Sequence, residues 1–92
     1  MANKVKKIDT PHTTKPLTAA LLGGYVRARR TQLGLTIEEA AALSGVAKDT
    51  LMKLEHGRHT IQLGSALAIC HALGVEINVV SWEGHNEQDV WV

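Results

Sequence analysis

Apolar residues along this chain recur with helical spacing four times and then, once, alternate. Over residues 19–33, Leu22, Val26 and Leu33 share one face, with Ala19 and Ala28 beside them, which predicts an amphipathic helix capped by Thr18. Gly23 and Gly24 interrupt that helix. Each costs about 1 kcal/mol relative to Ala, so the pair points to close approach of another backbone. Gly34 ends the helix. Residues 37–44 predict a second, shorter helix with Ala40, Ala41 and Leu43 available for burial. Thr36 and Glu39 have the spacing of a capping box, and Leu35 staples toward Ala40. Gly45 stops this helix, because glycine takes the left-handed conformation without a Cβ clash. Val46 then plugs the turn. A third helix is expected over residues 47–56, with Val46, Leu51 and Leu54 on its inner face. A fourth runs from 62 or 63 to 73, with Leu63, Ala66, Leu67, Cys70 and Leu73 as its stripe. Beyond Gly74 the pattern changes. Val75, Ile77 and Val79 alternate with Glu76 and Asn78, and this is the period of a strand.

Two short helices joined by a glycine bend make residues 36–57 a helix-turn-helix. The strand candidate has no partner elsewhere in the chain. Unpaired strand edges are sticky, and the simplest remedy is the same strand of a second copy across a two-fold axis. The expected fold is therefore all-α, with four helices plus one C-terminal β-strand pairing across a dimer. Three segments follow: a flexible arm over residues 1–16, a helix-turn-helix and dimerisation domain over 17–82, and an acidic tail over 83–92.

Charge refines this picture. The net charge of +1 hides a division. All ten Lys and Arg lie in residues 4–58, together with five of the nine acids, while residues 59–92 carry four acids and no Lys or Arg. The first part suits a polyanion. Lys4, Lys6, Lys7 and Lys15 in the arm are placed to touch phosphates or simply to be solvated. Length allows one small domain, whose core contributes only a few kcal/mol net, which again suits a dimer. With no Phe and three aromatics, the core must be Leu, Ile, Val and Ala. No apolar run approaches the ~18 residues of a membrane span, and the single Cys70 excludes an intrachain disulfide. A cytoplasmic location is expected.

Catalytic and metal chemistry find little support. His56, His59, Cys70 and His71 match no finger spacing, and Cys70 belongs to a core stripe. Ser44 and Ser65 have no identifiable base. No glycine-rich phosphate loop occurs. The expectation is no enzyme, no metal and no cofactor.

The stretches LGGYVRARRTQLGLT, EEAAALSGV, LMKLEHGR and ALAICHALGV, within residues 22–75, resemble the Cro/C1 (XRE) family of lambda-repressor-like helix-turn-helix domains. GRHTIQLGSALAICHALGVEINVV, residues 57–80, is similar more narrowly to the HipB-type antitoxin branch, in which four helices precede a strand that pairs between subunits. The resemblance implies a structural ion pair between Arg30 and Glu55. It implies DNA readers at the start and middle of the third helix, namely Ala47, Lys48, Asp49, Thr50 and Lys53. Lys48 and Lys53 suit guanine O6/N7, Asp49 suits cytosine N4, and Thr50 suits a thymine methyl or a phosphate. Thr36 and the Arg58, His59, Thr60 loop match the positions at which the family grips phosphates. Val75, Ile77 and Val79 match the dimer strand, and Trp91 loosely matches a tail residue that contacts a HipA-like kinase toxin. Two departures stand out: Ile37 where a Gln is usual, and Ala47 where the third helix usually has a Ser or Thr cap.

The function implied is a dimeric, sequence-specific transcriptional repressor of a palindromic operator in double-stranded DNA. It would be the antitoxin of a HipBA-like operon that regulates itself and neutralises a kinase toxin. A stand-alone phage or restriction-modification regulator is the alternative within the same class. A protein-interaction adaptor that has lost DNA binding is the alternative outside it, and the basic first part of the chain argues against that.

Overall fold

The computed structural model describes residues 5–82, which contain four helices in chain order: α1 Ala19–Gln32, α2 Ile37–Ser44, α3 Lys48–Glu55 and α4 Leu63–Leu73. Each begins or ends on a local signal. Thr18 is extended and its Oγ1 accepts from the Leu21 N–H at 3.0 Å, which satisfies a donor that the helix itself leaves orphaned. At α2 the capping box is complete, with Thr36 and Glu39 each accepting the other's backbone N–H. At its far end α4 receives a cation: Arg29 Nε donates to the Leu73 carbonyl at 2.8 Å, where the helix dipole is negative.

The core is aliphatic. Val26 from α1, Ala40 and Ala41 from α2, Leu51 and Leu54 from α3, and Ala66, Ile69, Cys70 and Leu73 from α4 form one buried cluster. Two predicted stripes are rotated relative to this arrangement. On α4, Leu63 is 72% and Leu67 46% exposed, while Ile69 is fully buried. The α4 sequence LGSALAICHAL is apolar nearly all round, so spacing alone does not select the inner face. On α1, Leu33 lies outside the core, and Gly23, Arg30 and Thr31 are buried beside Val26 and Ala28.

The two glycines of α1 behave differently. A Cβ on Gly23 would run into the carbonyl oxygens of Leu54 and Glu55, the latter at 2.7 Å, so the close backbone approach occurs there. A Cβ on Gly24 would meet only the Pro11 ring, at 3.6 Å. The same crossing of α1 over the end of α3 recurs at Gly57. Its φ is +74°, and an added Cβ would lie 2.9 Å from Ala20 Cα.

No strand forms among the described residues. Val75 closes α4, donating its N–H to the Cys70 carbonyl at 2.8 Å, and packs against the core. The rest of the alternating run, through residue 82, carries no ladder, since a single chain supplies no second strand to pair with it. At the other end, part of the arm expected to be flexible is hydrogen-bonded to α1. Ile8 N–H donates to Thr31 Oγ1 at 3.0 Å, and Gln32 Nε2 donates to the Ile8 carbonyl at 2.8 Å and to Thr10 Oγ1 at 2.9 Å.

Candidate nucleic-acid interface

The α2–α3 unit is built by its turn. Gly45 takes φ +72°, ψ +26° and its N–H bonds the Ala42 carbonyl, while the Val46 N–H reaches back to Ala41 at 3.1 Å. This pair of bonds is a Schellman motif, and it swings the chain directly into α3. Val46 packs against the core and so fixes the angle between the helices.

The inner side of α3 is fastened twice. Leu51 and Leu54 are buried in the aliphatic core. Arg30 from α1 grips Glu55 with a two-pronged fork, Nε to Oε2 at 2.6 Å and a terminal nitrogen to Oε1 at 2.9 Å. Its remaining nitrogen donates to the Leu35 carbonyl at 2.9 Å, just before the α2 cap. With side chains only 10% and 5% exposed, the pair is a buried one. Removing one partner of such a pair costs about 3–5 kcal/mol, because the other charge is left desolvated. One guanidinium thus ties together α1, the start of α2 and the end of α3.

The outer side carries Lys48, Asp49 and Lys53, all exposed, with Thr50 half-buried beside them. Each lysine has a carboxylate. Lys48 Nζ lies 2.8 Å from Glu38 Oε2 in the first turn of α2, and Lys53 Nζ lies 3.2 Å from Asp49 Oδ2 one turn earlier on α3. The hydrogen bond from Lys48, followed by one from its own backbone and by the Lys48 charge, holds the Glu38 carboxyl below its ordinary range. Ala47 is extended and exposed, and it offers no side-chain cap to α3. Thr36 is half-buried with its hydroxyl oxygen accepting from Glu39. Arg58, His59 and Thr60 are exposed in the α3–α4 loop.

Ile37, which departs from the usual family residue, packs its side chain against the core. An apolar side chain at the start of α2 therefore contributes to packing and presents no polar group to a ligand. Sequence reasoning left out two residues near this surface. Glu38 gave no signal beyond a favourable charge at a helix start. Arg27 carried no signal of its own, yet it lines a groove with Lys6, Thr36, Ile37 and Glu38 between the arm, α1 and α2.

Of the expected dimer strand, Val75 is half-buried and Val79 is 82% exposed. Ile77 borders a groove of about 240 Å³ with Leu17, Leu21, Leu22 and Tyr25. Trp91 and the tail over 83–92 lie outside the described residues.

Comparison with known proteins places this geometry in context. Residues 21–81 match the model of a helix-turn-helix domain. An HTH-type transcriptional regulator of Sinorhizobium fredii is 33% identical over 76 residues, covering 83% of this chain and 90% of that protein. An HTH-type transcriptional regulator of Methanothermobacter thermautotrophicus is 45% identical over 51 residues, covering 55% of this chain and 74% of that protein.

Proposed function

The chain belongs to the helix-turn-helix domain family, and from that premise we propose that it is a sequence-specific DNA-binding transcriptional repressor that acts as a dimer. The observation that carries this reading is the two-sidedness of α3. Its inner side is fixed by Leu51, Leu54 and the Arg30–Glu55 fork. Its outer side offers Lys48, Asp49, Thr50 and Lys53 on a short helix that a major groove accommodates. Base contacts would come from these four residues and the exposed Ala47. Phosphate contacts would come from Thr36 and from Arg58, His59 and Thr60.

The test is a gel shift on an operator duplex selected from a random library with the native chain. Lys48→Ala combined with Lys53→Ala is expected to weaken binding about tenfold or more, as loss of two charge-assisted contacts predicts. Unchanged shifts would sink the reader assignment. A dimer reads a palindrome whose half-sites lie about 34–36 Å apart or a multiple of that.

The dimer itself would form through the alternating run. In support, Ile77, Val79, Val80 and Trp82 are all exposed, and Val75, Ile77 and Val79 alternate with polar residues. The finer reading, the antitoxin of a HipBA-like operon, is supported by the likeness of residues 57–80 to that branch and by Trp91 in the acidic tail. Deleting residues 88–92 is expected to abolish capture of a co-expressed HipA-like kinase and leave DNA binding intact. A kinase that still co-purifies with the truncated chain would exclude the tail as the docking element. The second reading is a stand-alone phage or restriction-modification type transcriptional regulator, and the names of both relatives, HTH-type transcriptional regulators, are compatible with either.

A further inference from the structure

We propose that Glu38 is a specificity-determining residue that holds Lys48 away from DNA lacking the right base. This inference rests on the reading of α3 as the DNA reader. Glu38 sits in the first turn of α2 and Lys48 opens α3, so their 2.8 Å contact spans the two helices of the reading unit. Both side chains are more than half exposed, at 65% and 54%. Exposed pairs of this kind contribute little to folding, and salt screens them. The contact is therefore cheap to break, and what it controls is the availability of the Lys48 ammonium. Its neighbour Lys53 is likewise matched to Asp49. Both lysines on the outer side of α3 are thus matched to a carboxylate in the free chain.

Two consequences follow when a duplex approaches. On random sequence, Lys48 finds no base acceptor that outcompetes the carboxylate, and the Glu38 charge repels nearby phosphates. On the cognate site, guanine O6 and N7 or an equivalent acceptor replaces Glu38 as the partner of Nζ. Glu38 accordingly weakens binding everywhere and weakens it most on wrong sequences, which is discrimination by a repulsive element.

Glu38→Gln removes the charge and keeps the side chain's shape. Binding to a random-sequence duplex is expected to tighten about three- to tenfold, with the log–log salt slope steeper by about one unit. Binding to the library-selected duplex is expected to tighten less, so the ratio of the two affinities falls. In the Lys48→Ala background, Glu38→Gln should lose most of this effect. Glu38→Gln should lower the thermal unfolding midpoint by only a few degrees, the loss of one favourable charge at a helix start, and keep its helical circular dichroism, which separates the binding effect from a folding one. If Glu38→Gln leaves the random-sequence affinity and its salt slope unchanged while Lys48→Ala weakens selected-duplex binding, the gating role of Glu38 is overturned and the reader assignment stands. If Lys48→Ala also binds both duplexes as the native chain does, Lys48 is no reader and the gating role of Glu38 falls with it, whereas the reading of α3 falls only if Lys48→Ala combined with Lys53→Ala is neutral too.

Discussion

Gly23 and Gly24 are neighbours of one residue type, yet their surroundings give them opposite roles. Gly23 lies under the carbonyl oxygens of Leu54 and Glu55, backbone atoms that cannot move without shifting α3. Gly24 faces only the Pro11 ring at ordinary contact distance. Gly23→Ala is therefore expected to destabilise the fold by about 1–3 kcal/mol, the usual range for forcing extra atoms into a filled space. Gly24→Ala is expected to stabilise it by about 1 kcal/mol through helix propensity. Urea unfolding of the two variants measures both, and equal signs would overturn this account. Adjacent glycines in a helix announce a close approach in the sequence, but they do not say which of the two provides it. That depends on where α3 ends relative to α1, a contact made across more than thirty positions of the chain.

Helix boundaries were legible because they depend on local chemistry. The extended Thr18 cap, the Thr36–Glu39 box and the left-handed turn at Gly45 each involve residues within four positions of one another. Observed helices differ from the expected ones by about a residue at their ends, the ordinary uncertainty of such limits. The start of α3 is the weak point, since Ala47 is already extended but has no oxygen to offer. Ala47→Ser is expected to add the missing cap and stabilise the protein by about 0.5–2 kcal/mol. For a chain of this size each kcal/mol raises Tm by about 4–8 °C. A Tm unchanged or lowered in scanning calorimetry would show that the turn geometry keeps the hydroxyl from the α3 N–H groups. The inner face of α4 was legible in part: Ala66, Cys70 and Leu73 are buried as the spacing implies, but nothing in it preferred Ile69 to Leu63 or Leu67. The packing of α4 against the other three helices is what buries Ile69 and leaves Leu63 at the surface.

In the molecule as a whole, the alternating run after α4 is an unfinished element. Its sequence has the period of a strand, and its backbone in the single chain makes no ladder. In the proposed dimer, pairing with a second copy would add a ladder and cover Ile77, which is 39% exposed. Ile77→Pro removes a ladder donor and is expected to reduce the solution mass to that of a monomer, with the helical circular dichroism retained. A dimer mass that persists by light scattering would refute pairing through this run. The charge division has a similar origin in the whole chain. The basic part supplies attraction for a polyanion, yet on the outer face of α2 and α3 the carboxylates of Glu38 and Asp49 balance the lysines.

By itself the sequence determined the four helices, their caps and the glycine bend between the second and third, since each depends on short-range sterics and hydrogen bonding. It also determined that the core is aliphatic and that the charges divide along the chain. Only the tertiary structure decided that Ile69 and not Leu63 or Leu67 completes the inner side of α4, that Gly23 and not Gly24 meets α3, and that Lys48 faces Glu38. It also set the geometry by which Arg30 serves Glu55 and Leu35 at once. The physical reason is the same in each case. These relations join atoms distant along the chain, and they come into being only when packing fixes the helices at particular distances and rotations.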